Sequence, residues 1–268
     1  MQDAMLGVNV ASATLAAVLV LTYAVFKRHQ PHLSVLCFAA CAGLLSLALL
    51  MGPAFGYSAL AAPNSTVCQV QGFLIQLFGF SAIGYYLCIC VTLFLIVELG
   101  DVRLERRPVV ATLWLSHLSP VVALVTALVC LLRGQIAYRA PLWCWIAGEP
   151  PSLEMAFFYG PMFVFAVIAA LAWVRVVFRF RRNAESFAAL FRHVVFCAVF
   201  CVLFGVMFAH RLYNILSGKD FYTLEMLHLI ALGGVGIWIF LIFFPSKSNL
   251  VLWRNCCCRS NKNYDEIN

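Results

Sequence analysis

Residues 68–98 read CQVQGFLIQLFGFSAIGYYLCICVTLFLIVE. From Cys68 the run carries no ionised side chain until Glu98. At ~1.5 Å per residue, a helix of this length crosses the ~30 Å hydrocarbon core of a bilayer with room to tilt. Its polar residues Gln69, Gln71, Gln76 and Ser81 all lie in the first half. An unpaired amide is costly against lipid. The pattern therefore predicts either a polar cavity at that end or hydrogen bonds between helices.

The rest of the chain agrees with a membrane reading. Of 268 residues, 64% are hydrophobic and 11% charged, and the mean hydropathy is +0.94, which excludes an ordinary soluble domain. Long apolar spans fall at Val8–Phe26, Leu33–Phe55, Cys68–Val97, Val110–Leu132, Leu153–Phe178, Val194–Leu216 and Tyr222–Phe244. The expected fold is an all-α seven-transmembrane helix bundle over residues 1–245. Residues 246–268 form a tail containing a short amphipathic helix after the seventh span.

Lysine and arginine set the orientation. One side holds Lys27 and Arg28, then Arg103, Arg106 and Arg107, then Arg175, Arg179, Arg181, Arg182 and Arg192, then Lys247, Arg254, Arg259 and Lys262. The other side keeps Arg133, Arg139, Arg211 and Lys219. The N-terminus is expected outside and the C-terminus in the cytoplasm of a multi-pass plasma-membrane protein. A net charge of +7 then belongs to membrane lipids at the anionic inner leaflet and requires no nucleic acid. The opening MQDAMLG lacks a basic region, so the first span is expected to act as an uncleaved signal anchor. So short a segment holds no hormone-binding ectodomain, and the sensed molecule is expected to be small. The sequon Asn64-Ser65-Thr66 lies on the outer side, a glycosylation candidate close to the membrane.

Two blocks carry a family resemblance. Cys68-x-x-Gln71-Gly72-Phe73, followed by Gln76-x-Phe78-Gly79-x-Ser81, resembles the third transmembrane helix of the cyclic-AMP-receptor-like G-protein-coupled receptors, best known from slime moulds. Trp143-Cys144-Trp145-Ile146 resembles that family's second extracellular loop. Where the family has Ser-Ser-x-x-Trp, this chain has Ser81-Ala82-Ile83-Gly84-Tyr85. The resemblance implies a seven-helix receptor, a heterotrimeric G protein as partner and a bridge between Cys68 and Cys144. Of twelve cysteines, these two alone fall at expected outer positions, where oxidation is permitted; a disulfide is the simpler reading and a metal site the weaker one. Cys256, Cys257 and Cys258 follow the amphipathic segment and suit lipidation, palmitoylation above all, with a cysteine-rich metal site as the alternative.

The Asp-Arg-Tyr and Asn-Pro-x-x-Tyr motifs of rhodopsin-class receptors are absent from the sequence. Arg103, Arg106, Arg107, Arg179, Arg181 and Arg182 are candidates for contact with the G protein, or plain anchors at the headgroups; the resemblance favours the first. At the outer ends, His210, Arg211, Tyr213 and Asn214 of the sixth span meet Glu225 and His228 of the seventh. Gln71, Gln76 and Tyr85 of the third and Tyr159 of the fifth complete a candidate pocket, with Pro161 bending the fifth span towards it. Arg211 and Glu225 form a candidate pair that either binds ligand or latches two helices. No cofactor or metal is expected, and no enzyme activity. A retinal protein needs a lysine in the last span, and Leu224–Phe244 has none. An intramembrane zinc hydrolase needs more histidines at one level, and a transporter would favour matched broken repeats.

Overall fold

In the computed structural model, the described residues are 2–25, 33–62, 65–99, 117–139, 143–146, 152–180, 184–217 and 222–244. They are almost entirely helical: α1 Gln2–Val25, α2 Leu33–Leu49, α3 Met51–Phe55, α4 Tyr57–Ala61, α5 Thr66–Leu99 and α6 Leu118–Leu132. After the strands β1 Ile136–Arg139 and β2 Trp143–Ile146 come α7 Ser152–Glu154, a π-helical turn Met155–Tyr159, α8 Gly160–Phe180, α9 Ala184–Ser217, α10 Tyr222–Gly233 and α11 Val235–Phe243.

The quoted stretch is the central post. Over its membrane-length window α5 is 72% buried, against 28% for α1 and 22% for α8. It packs against α2, α6, α8, α9 and both strands, while α1 lies between α2 and the last helices. Outward faces are apolar. Val121, Val125 and Leu132 of α6 and Val164, Leu171 and Phe178 of α8 are all more than half exposed. Such surfaces suit acyl chains rather than water.

Among the described residues, five helices are long and apolar enough to cross a bilayer, within Asp3–Ala24, Leu33–Phe55, Thr66–Glu98, Met155–Arg179 and Phe191–Ser217; the bent pair α10–α11, taken as one span, makes a sixth. The apolar α6 is shorter, and residues 110–116 of its expected span lie outside the described residues.

Four features depart from the expectations. The supposed extracellular residues preceding Val8 are helical from Gln2. The expected third cytoplasmic loop, residues 179–193, is largely helix, because α8 runs to Phe180 and α9 starts at Ala184. The last span is two helices bent by 53°. At that bend the Gly236 N–H leaves the helical ladder and donates to Ser12 Oγ of α1 at 2.9 Å, while Ser46 Oγ of α2 shares a 2.9 Å bond with the same hydroxyl. A Cβ at Gly236 would collide with the Ser12 backbone, so the close approach requires glycine. Finally, the fold is not purely helical. The two strands pair antiparallel, Tyr138 opposite Cys144 and Ile136 opposite Ile146, and the hairpin covers one end of the bundle. Gly72 makes room for it, since a Cβ there would strike the Ile136 side chain.

Candidate functional site

The hairpin is fixed to α5 by a covalent bond and two amides. Cys68 and Cys144 form a disulfide, with Cα atoms 5.2 Å apart. One helical turn along, Gln71 is fully buried. Its Oε1 accepts the Cys144 N–H at 2.8 Å, and its Nε2 donates to the Ala48 carbonyl at 3.1 Å. Ala48 stands in the last turn of α2, where carbonyls lack intrahelical donors. Gln71 thereby ties α2, α5 and β2 together.

Gln76, also fully buried, answers a vacancy made by proline. In a regular helix the N–H of residue 161 would bond the Phe157 carbonyl, but Pro161 has none. Gln76 Nε2 donates to that carbonyl at 3.1 Å and reaches Thr126 Oγ1 of α6 at 3.4 Å, while its Oε1 accepts the Trp145 indole N–H at 3.3 Å. The π-turn beside Pro161 adds a residue to the helix, and such bulges recur at functional sites. Here it brings Phe158 and Tyr159 inward, both buried. Trp145, Phe158 and Tyr159 meet edge to face, with centroids 4.8–5.4 Å apart.

Tyr159 is the hinge between this aromatic cluster and the polar residues of α9 and α10. Arg211 Nε donates to its hydroxyl at 3.1 Å, and the guanidinium stands 5.6 Å from its ring centre. The same Nε lies 3.8 Å from Glu154 Oε2 of α7, a carboxylate only 4% exposed. Beyond Tyr159, His228 Nδ1 lies 3.1 Å from His210 Nδ1. Asn214 Nδ2, 3.1 Å from His210 Nε2, is a donor only. The three side chains thus form a chain of hydrogen bonds across α9 and α10.

The structure thus brings Tyr159, His210, Arg211, Asn214 and His228 together, next to Gln76 through Trp145. Tyr213 points outward, 41% exposed, and Glu225 is half-buried in the first turn of α10. Tyr85 belongs elsewhere: its hydroxyl meets His117 Nδ1 at 3.3 Å, far down α5 from the hairpin. To the Glu225 candidate the structure adds Glu154 as an ion-pair partner of Arg211. Sequence reasoning passed over Glu154, although a carboxylate opening the Leu153–Phe178 apolar span was the available signal. The described residues contain no group of three or more His, Cys, Asp or Glu arranged to hold a metal. Arg179 is exposed in the last turn of α8. Asn64, Arg103, Arg106, Arg107, Arg181, Arg182, Cys256, Cys257 and Cys258 lie outside the described residues.

Chemically, a half-buried guanidinium beside a buried carboxylate and a phenol is an anion-binding group with an internal anion already in reach. No family model matches the chain. It is 27% identical over 180 residues to the Ascaroside receptor GPR2 of Arthrobotrys oligospora, an alignment covering 65% of this chain and 43% of that protein. The chain therefore spans less than half the length of that relative. With the helical architecture, this similarity supports a helical membrane protein, similar to a receptor of the G-protein-coupled type.

Proposed function

We propose that the protein is a seven-helix G-protein-coupled receptor of the cyclic-AMP-receptor-like type, lying in the plasma membrane with the hairpin end outside. The observation that carries this reading is the Arg211–Glu154–Tyr159 group beneath a hairpin pinned by Cys68–Cys144. Groups that bind an anion, set in a bundle of apolar helices, are a ligand-site hypothesis by default. A ligand bearing a carboxylate or phosphate would compete with Glu154 for Arg211. That exchange releases α7 and the π-turn from α9, and so favours a second arrangement of the bundle. At the other end, Arg179 lies in the last turn of α8, and Arg181 and Arg182 follow in the sequence before α9. With Arg103, Arg106 and Arg107 these form the proposed landing surface for a heterotrimeric G protein. His210, Asn214 and His228 line the ligand side, and Gln71 and Gln76 position the hairpin. Glu225, Tyr213 and Tyr85 remain candidates of the second rank. Asn64 glycosylation and lipidation of Cys256, Cys257 and Cys258 belong to the same topology.

An ascaroside, named for the relative, and a cyclic nucleotide, implied by the resemblance, are the first ligands to test. The experiment is a nucleotide-exchange reporter in cells displaying the protein, across a panel of Gα subunits. Ligand-dependent exchange that disappears in Arg211→Ala, with surface display unchanged, supports the reading. Loss of display in Arg211→Ala and in the gentler Arg211→Lys assigns the residue to a latch. Silence with every Gα and with constitutive variants defeats the receptor reading.

A further inference from the structure

Inside the bundle, away from the hairpin, α5 and α9 meet at two thiols. Cys90 Sγ donates to Cys197 Sγ at 3.0 Å, and each residue is only 1% exposed. The contact is held from both sides. Tyr86 hydroxyl, one turn back on α5, donates to the Cys197 carbonyl at 2.9 Å. The Tyr86 ring packs among Phe196, Phe200 and Phe204 of α9, with centroids 5.0–6.2 Å away. Two thiols held this close are about 1 Å short of a bonded pair, whose sulfurs stand ~2.04 Å apart. They are too close to share a zinc ion, because two ~2.3 Å bonds at a tetrahedral angle set the sulfurs ~3.8 Å apart.

We propose that Cys90 and Cys197 are a modification site: a dithiol that closes to a disulfide and staples α5 to α9 when a membrane-permeable peroxide reaches the bundle. One thiol gives up its proton and attacks a peroxide oxygen, forming a sulfenic acid and releasing one water. The second sulfur attacks that sulfenic sulfur, its proton leaving with the hydroxyl as a second water. Two thiols are oxidised by two electrons and one hydrogen peroxide is reduced. The closed form holds together two helices whose ends, in the receptor reading above, must rearrange to admit a G protein. The effect on signalling therefore rests on that reading; the bond itself does not.

The test uses the full chain in lipid nanodiscs, treated with hydrogen peroxide, digested without reductant and mapped by mass spectrometry. The expected result is a linked peptide pair carrying Cys90 and Cys197, beside the constitutive Cys68–Cys144 pair. The link is kept in Cys201→Ser, one turn along α9, and lost in Cys90→Ser and in Cys197→Ala. Thermal unfolding of the oxidised protein should shift up by roughly 5 °C, and in neither single variant. Absence of the linked pair while other thiols are oxidised overturns the proposal, as does a link that leaves the unfolding midpoint unmoved. In the exchange reporter, peroxide should lower the response several-fold in the native chain and spare Cys90→Ser. A confirmed link and thermal shift without that loss upholds the dithiol and shows that α5 and α9 need not part for exchange.

Discussion

Gln76 Nε2 donates at 3.1 Å to the Phe157 carbonyl, standing in for the backbone N–H that Pro161 lacks. A side chain of one helix thus completes the hydrogen bonding of another, and the same amide accepts the Trp145 indole. The hairpin, the π-turn and the Arg211 group are positioned together through this residue.

Replacing Gln76 by leucine should leave a buried carbonyl and a buried indole N–H unmet, at a cost of about 1–3 kcal/mol. Restoring a backbone donor with Pro161→Ala should recover part of that loss, so the double variant should melt above Gln76→Leu alone. Thermal unfolding in detergent measures both, and a double variant no more stable than the single would show that Pro161 is not the reason for the bond.

Arg211 and Glu154 should be coupled. Removing one charge strands the other in a buried setting, while removing both together is milder. Arg211→Gln and Glu154→Gln are each expected to destabilise by about 3 kcal/mol, and the double variant by less than their sum. A double-mutant cycle on unfolding reads the coupling, and strict additivity would separate the two residues.

Opening the bridge between Cys68 and Cys144 releases the hairpin from α5. A 76-residue separation places the loss at about 2–4 kcal/mol. Cys68→Ala, Cys144→Ala and their double variant should all lose the same amount, since the bridge fails in each. Unequal losses would show that one of the cysteines contributes by packing.

Gly236→Ala should clash with the Ser12 backbone, and Ser12→Ala should leave the Gly236 N–H without its acceptor at a cost of about 1–3 kcal/mol. Both are expected to lower the yield of monodisperse protein in detergent, measured by size-exclusion chromatography. A well-behaved Gly236→Ala would mean that the bend tolerates a wider spacing from α1.

The membrane-length helices were legible because lipid imposes a length and an apolarity that composition displays directly: α5 spans 66–99 where apolarity marked 68–97. The Cys68–Cys144 bridge was legible for a similar reason, since compartment and topology leave few outer cysteines. Partner choice was not. Arg211 was set beside Glu225 because both fall at the same end of adjacent spans, and Glu154, 3.8 Å from Arg211, went unnamed because the π-turn that follows it leaves no mark in the apolar pattern. The start of α9 falls in the interval between the apolar spans, where Phe187, Leu190 and Phe191 continue an amphipathic face and Ala184, Glu185, Ala188, Ala189 and Leu190 are good helix formers. The glycines at 233, 234 and 236 were visible, but glycine is common in transmembrane helices. The hydroxyl that meets the bend, Ser12, comes from more than two hundred residues away.

That hydroxyl has a consequence for how the bundle assembles. Ser12 lies in the first helix described and Gly236 in the last, so neither finds its companion until the ribosome has delivered every helix between them into the bilayer. A truncated product lacking α11 would keep the bond between Ser46 and Ser12 but leave Ser12 without the Gly236 N–H. Quality control in the membrane would have a ready mark for incomplete molecules.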